Sequence, residues 1–137
     1  MIEINNLTKF NLDQKFFKKI AEDVLKEERA EKKDLSVAFV GEKRIRGLNK
    51  KYRKIDRVTD VLSFPGENNG EDEIIICPAK VRKNAKKYKS TFKKELALVL
   101  IHSILHLLGY NHERDQKEAE IMEQKQNYYL QKLWQKK

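Results

Sequence analysis

The chain has 137 residues, 39% hydrophobic and 37% charged, which suits one folded domain with a real core and a solvated, salt-like surface. Lysine and arginine outnumber aspartate and glutamate by 30 to 21, and the formal charge of +9 favours polyanions or acidic surfaces as partners. A single cysteine, Cys77, excludes an internal disulfide and a cysteine-built zinc ribbon, and no signal-like N-terminus or bilayer-length apolar run is visible, so a cytoplasmic chain that does not cross a membrane is expected.

Ile2 and Ile4 alternate with polar residues and predict a short strand over residues 2–7. Asp13 is placed to cap a helix in which Phe16, Phe17, Ile20, Ala21, Val24 and Leu25 recur at three- and four-residue spacings as far as about Arg29. Residues 34–40 predict a second strand that ends at Gly41, and a helix follows from Glu42 to about Arg53. Residues 58–64 predict a third strand, stopped by Pro65-Gly66. Strand, helix and strand within so short a stretch predict a crossover with strands two and three parallel in one sheet. After a polar loop, residues 73–77 predict a fourth strand antiparallel to the third, and Pro78 opens a helix as its first residue.

Residues 80–94 hold eight basic side chains and no acidic one, which predicts a charged helix and turn. An apolar helix follows, and residues 115–134 predict a C-terminal packing helix with a partial stripe of Ala119, Met122, Tyr129 and Leu133. The expected fold is α+β: a single domain over residues 1–137, with a mixed four-stranded sheet packed with about five helices.

All three histidines fall near the end of the apolar helix and its following turn. His102 and His106 are four apart, so both rings leave one face of a buried helix. Gly109 supplies a left-handed stop that turns His112 toward the other two. Three imidazoles at this spacing predict a zinc site that leaves one coordination position open, although Asn111, Glu113 or Asp115 would be an oxygen ligand in a closed one. The spacing is that of the longer zinc-peptidase motif, but Ser103 stands where a peptidase carries its general-base glutamate, which disfavours peptide hydrolysis.

The stretch HSILHLLGYNH, with NKKYRKIDRVTDVLSFPG upstream, resembles the YbeY family of endoribonucleases, in the family's motif order and over essentially the whole chain. Asn111, Ser103 and Asp72-Glu73 depart from its usual pattern. The resemblance implies one Zn2+ held by His102, His106 and His112, a functional Arg53 near the metal, and a cleft floor shaped by residues 59–64. It further implies single-strand cleavage of RNA in maturation of the 16S ribosomal RNA 3′ end and in ribosome quality control. His102, His106, His112 and Arg53 are then the expected catalytic group, with Arg53 clamping the non-bridging phosphate oxygens and either zinc-activated water or the RNA's own 2′-hydroxyl as the nucleophile.

Expected partners are single-stranded and ribosomal RNA, with ribosomal proteins or an assembly GTPase as further candidates, and neither DNA nor a membrane. The basic cluster Lys43, Arg44, Arg46, Lys50, Lys51, Lys54 and Arg57 either tracks an RNA backbone or forms a solvated helix face, and the same choice holds for the tract over residues 80–94. Tyr52 and Phe64 are expected in the core, with base stacking the alternative. The competing function is a non-catalytic ribosome-assembly factor with a structural zinc.

Overall fold

The computed structural model describes residues 1–68, 70–110 and 115–135, with side chains described as far as residue 132. Four strands, β1 (Ile2–Asn6), β2 (Leu35–Phe39), β3 (Val61–Phe64) and β4 (Asp72–Ile76), form one mixed sheet in the order β1-β2-β4-β3. Among the described residues five helices accompany it: α1 (Gln14–Glu27), α2 (Glu42–Arg53), α3 (Pro78–Lys87), α4 (Phe92–Leu107) and α5 (Gln116–Gln135). The α+β class, the four strands and the five helices are as the sequence predicts. Among the described residues, no helix is long and apolar enough to cross a membrane.

Alternation along the strands sorts the core into two layers. Leu35, Val37, Phe39, Ile74 and Ile76 face α1, α4 and α5 in the larger cluster, with Phe17, Ile20, Leu100, Ile104 and Met122. Ala38, Leu62 and Ile75 face the other way, toward Ile45 and Leu48 of α2 and the buried Cys77. Cys77 packs as a small hydrophobe, and burial pushes its thiol pKa up, away from thiolate chemistry. In α1, Asp13 accepts from the Phe16 amide as the expected cap.

One expectation is overturned. β2 and β3 are antiparallel: β4 lies between them, parallel to β2 and antiparallel to β3. The cause is at the end of α2. Lys54 caps that helix in the left-handed conformation (φ 62°), and the buried Asn49 side chain donates to the Arg57 carbonyl at 3.0 Å. The chain therefore doubles back along α2 and enters β3 from the end at which β2 finished. The strand is also shorter than predicted, because residues 58–60 belong to this returning loop.

The β3–β4 turn is closed by Asp72, whose carboxylate accepts from the Gly66 amide at 2.7 Å and from Lys33 Nζ at 2.7 Å. A Cβ at Gly66 would lie 2.4 Å from the Gly70 carbonyl oxygen, so only glycine fits there.

Candidate active site

Helix α4 crosses the main face of the sheet and is buried along Leu96, Ala97, Leu100, Ile101, Ile104 and Leu105. Thr91 caps its start by accepting from the Lys94 amide. At its other end the Gly109 amide donates to the His106 carbonyl and the Tyr110 amide to the Leu105 carbonyl, each at 3.1 Å. With Gly109 at φ 106°, this is a Schellman stop, and it reverses the chain where the sequence predicts. His112 itself, with Asn111, Glu113 and Arg114, lies outside the described residues.

The sheet order places the other candidates. β3 is an edge strand, so one row of its backbone N–H and C=O groups is not used by the sheet. α2 flanks this strand on one face of the sheet and α4 on the other. Between them opens a cleft of ≈460 Å³ lined by Tyr52, Arg53, residues 61–64, His102, Ser103 and His106. Arg53 and the two histidines, about fifty residues apart in sequence, thus share one concavity. Of the floor expected over residues 59–64, only 61–64 line this cleft; Thr59 and Asp60 line an adjoining one.

His102 is half-buried and His106 is exposed, one helical turn further on. The His102 Nδ1–H donates to Gln126 Oε1 of α5 at 2.7 Å. A carbonyl oxygen accepts only, so this bond puts the proton on Nδ1 and the basic lone pair on Nε2. An imidazole oriented in this way is the usual support of a metal ligand. Gln126 has no counterpart among the sequence-predicted residues, although its spacing from Met122 and Tyr129 places an amide on the buried stripe of α5.

Among the described residues no three His, Cys, Asp or Glu side chains converge on a metal position; His102 and His106 supply two imidazoles. Two imidazoles on one helix face, one held by an amide, fit a borderline ion such as zinc. Asp115, weighed as an oxygen ligand, accepts instead from the Glu118 amide at 2.8 Å and caps α5.

Tyr52 departs from its core assignment: it is 56% exposed and meets Phe64 edge-to-face at 5.2 Å on the cleft wall. Lys51 Nζ lies 5.1 Å from the centre of the same Tyr52 ring, so the ring is held between a cation and an aromatic edge rather than in the core. The basic cluster of α2 and its loop is exposed throughout; Arg46 is paired with Asp56 at 2.8 Å, and this bond holds the Asp56 carboxyl below its ordinary range. The later tract divides: Lys83 pairs with Glu42, Lys93 with Asp13, and Arg82 lies over the Phe10 ring, while Lys80 is half-buried beside the cleft's neighbour.

The family model for endoribonuclease YbeY matches residues 3–134. The chain is 46% identical over 99 residues to an endoribonuclease YbeY of Thermotoga neapolitana, a match covering 72% of this chain and 66% of that protein. Against the endoribonuclease YbeY of Thermosipho melanesiensis the identity is 34% over 130 residues, covering 94% of each. A solution structure of a Thermotoga maritima protein superposes with a TM-score of 0.73 at 38% identity, over 99% of this chain and 91% of that one. With motif order, fold and these likenesses in agreement, the chain belongs to the endoribonuclease YbeY family.

Proposed function

We propose that residues 1–137 form a single zinc-dependent endoribonuclease domain that cuts single-stranded RNA, acting in the cytoplasm in maturation of the 16S ribosomal RNA 3′ end and in ribosome quality control. Family membership supports RNA hydrolysis, and one observation carries the choice of site: Arg53, His102 and His106 line the same cleft over the free edge of β3. His102, His106 and His112 are the proposed ligands of one Zn2+, with Gln126 fixing the His102 tautomer. When bound, the ion supplies Lewis acidity that activates water near neutral pH and offsets charge on phosphoryl oxygens.

Arg53 reaches the cleft from the last turn of α2 and makes no side-chain hydrogen bond or ion pair among the described residues, so its planar fork is available to the non-bridging oxygens. Tyr52, edge-packed on Phe64, offers its exposed ring to a neighbouring base. Ser103 is buried with no partner for its Oγ among the described residues, and a serine hydroxyl is not basic near neutral pH, so it does not act as the general base. Proposed partners are single-stranded and ribosomal RNA, with ribosomal proteins or an assembly GTPase in the same complex.

The test is zinc content and RNA cleavage side by side in wild type, His106→Ala and Arg53→Ala. Loss of both metal and cleavage in the first, and of cleavage alone in the second, is expected. Undiminished cleavage by a metal-free His106→Ala protein would overturn the catalytic zinc. Stoichiometric zinc with tight RNA binding and no turnover in wild type would instead favour the assembly-factor alternative. A 2′,3′-cyclic phosphate on the products would assign attack to the RNA's own 2′-hydroxyl rather than to water.

A further inference from the structure

Beside the histidine cleft, and sharing Arg53 with it, lies a second concavity of ≈340 Å³. Its walls are Asn49 and Arg53 of α2, residues 55 and 57–60 of the returning loop, and Lys80 and Asn84 of α3. Arg53, Arg57 and Lys80 converge here, and among the described residues none of the three makes a salt bridge or a side-chain hydrogen bond. Elsewhere on this basic surface Arg46, Lys83 and Lys93 are paired with carboxylates. Among the described residues one carboxylate, Asp60, lines it, and it accepts from the neighbouring Thr59 hydroxyl at 3.3 Å.

A second observation concerns Asn49, which is 2% exposed. Its Nδ2 donates to the Arg57 carbonyl, which fixes the orientation of the amide, since the opposite one would set two acceptors against each other. Among the described residues its Oδ1 is a buried acceptor with no hydrogen-bond partner, a group that costs stability until something donates to it. The wall therefore combines unpaired cations with an unmatched acceptor and the Asn84 amide. A phosphodiester group alone, which carries no O–H, would satisfy only the cations, whereas a whole nucleotide adds the O–H and N–H donors of its sugar and base to its anionic oxygens.

We propose that this concavity is a nucleotide subsite, holding the residue of a single-stranded RNA next to the one cut in the histidine cleft. The adjacent phosphate lies against Arg57 and Lys80, and the sugar or base edge faces Asn49 and Asn84. Arg53, on the shared wall, spans the two phosphates, so the loop that reverses the chain into β3 also sets the spacing between subsite and cleft. This inference rests on the RNA-cleaving function proposed for the cleft. It adds residues to that function: Asn49 of α2, Arg57 of the returning loop, and Lys80 and Asn84 of α3, none of which lines the histidine cleft.

The test is anisotropy of a short, labelled single-stranded oligouridylate titrated with the full-length protein over a range of salt, with cleavage of the same oligomer followed in parallel. Arg57→Ala/Lys80→Ala is compared with Lys15→Ala/Lys18→Ala, which removes the same charge from the exposed face of α1. The subsite variant is expected to bind on the order of tenfold more weakly and to reduce the salt slope by about 0.7 for each phosphate it no longer neutralises, while the α1 variant stays near wild type. Equal weakening of both variants would reduce the effect to net charge and overturn the subsite. Wild-type binding by the subsite variant, with cleavage still abolished in His106→Ala, would overturn the subsite and leave the cleft's function standing. Wild-type protein that neither binds nor cuts the oligomer would overturn both.

Discussion

Helix α4 and the turn after it border two polar clusters of opposite character. On one side, Glu28 at the C-cap of α1 accepts from the Tyr110 hydroxyl at 2.6 Å, from Lys125 Nζ at 3.0 Å, and from the Tyr129 hydroxyl. A carboxylate is disfavoured at the negative end of a helix, so its local position costs stability that these three donors offset. On the other side, Arg53 and His106 face the cleft with no side-chain partner among the described residues, and His102 is oriented by one amide. The first cluster uses its polar groups on one another and ties α1, α5 and the Tyr110 turn together. In the second, Arg53 and His106 leave theirs open to the cleft, the pattern expected of the proposed site rather than of a structural tie.

The contrast breaks most visibly at His106. His106→Ala should abolish cleavage and weaken zinc binding by more than ~100-fold, with the thermal midpoint of the metal-free protein nearly unchanged, as read by chelator competition and calorimetry. Arg53→Ala should lose on the order of 10² to 10³ in kcat and keep its zinc, because it removes a charge that acts on the transition state. Gln126→Leu is a smaller change that sharpens the comparison: zinc affinity should fall by roughly 10- to 100-fold, because the leucine no longer holds the His102 Nδ1 proton.

Glu28→Ala should do the reverse. It leaves two tyrosine hydroxyls and Lys125 without their acceptor, so urea denaturation should register a loss of about 3 kcal/mol while cleavage per folded molecule is unchanged. The acid limb provides the mildest test. Burial alone would raise the Glu28 pKa, but the hydrogen bonds from Tyr110, Tyr129 and Lys125 outweigh it and hold the carboxyl below its ordinary 4.5. The stability it contributes is therefore complete above that value and lost as pH falls through the lower folded pKa. Glu28→Gln should flatten stability against pH below about 4.5 and leave the profile near neutrality alone.

Much of the fold was legible because apolar periodicity is a local property. The spacing of Phe17, Ile20, Val24 and Leu25 is enough for α1, and the histidine helix with its Gly109 stop follows from residue types alone. Strand order was not legible. The reversal that makes β3 antiparallel to β2 depends on a left-handed Lys54 and on the Asn49 tie to Arg57, neither of which alters the periodicity of α2. For the same reason, the meeting of Arg53 with the histidines came only from family resemblance, not from spacing.

Gln126, Glu28 and Asn49 share a signal that sequence reasoning passed over. Each is a polar residue on an otherwise apolar helical stripe: Gln126 between Met122 and Tyr129, Glu28 four after Val24, and Asn49 four after Ile45. A polar side chain at such a position must find a partner once buried. Its presence on the stripe therefore points, from residue type and spacing alone, to a cross-link or to a ligand.

The cleft joining Arg53 to the histidines is proposed to cut single-stranded RNA by metal-dependent chemistry. It is tested most directly by incubating the purified protein with single-stranded and duplex forms of one RNA sequence, before chelation, after it, and after zinc is restored. Cleavage of the single strand only is expected, lost on chelation and regained with zinc. Cleavage that persists undiminished after complete removal of the metal would contradict it.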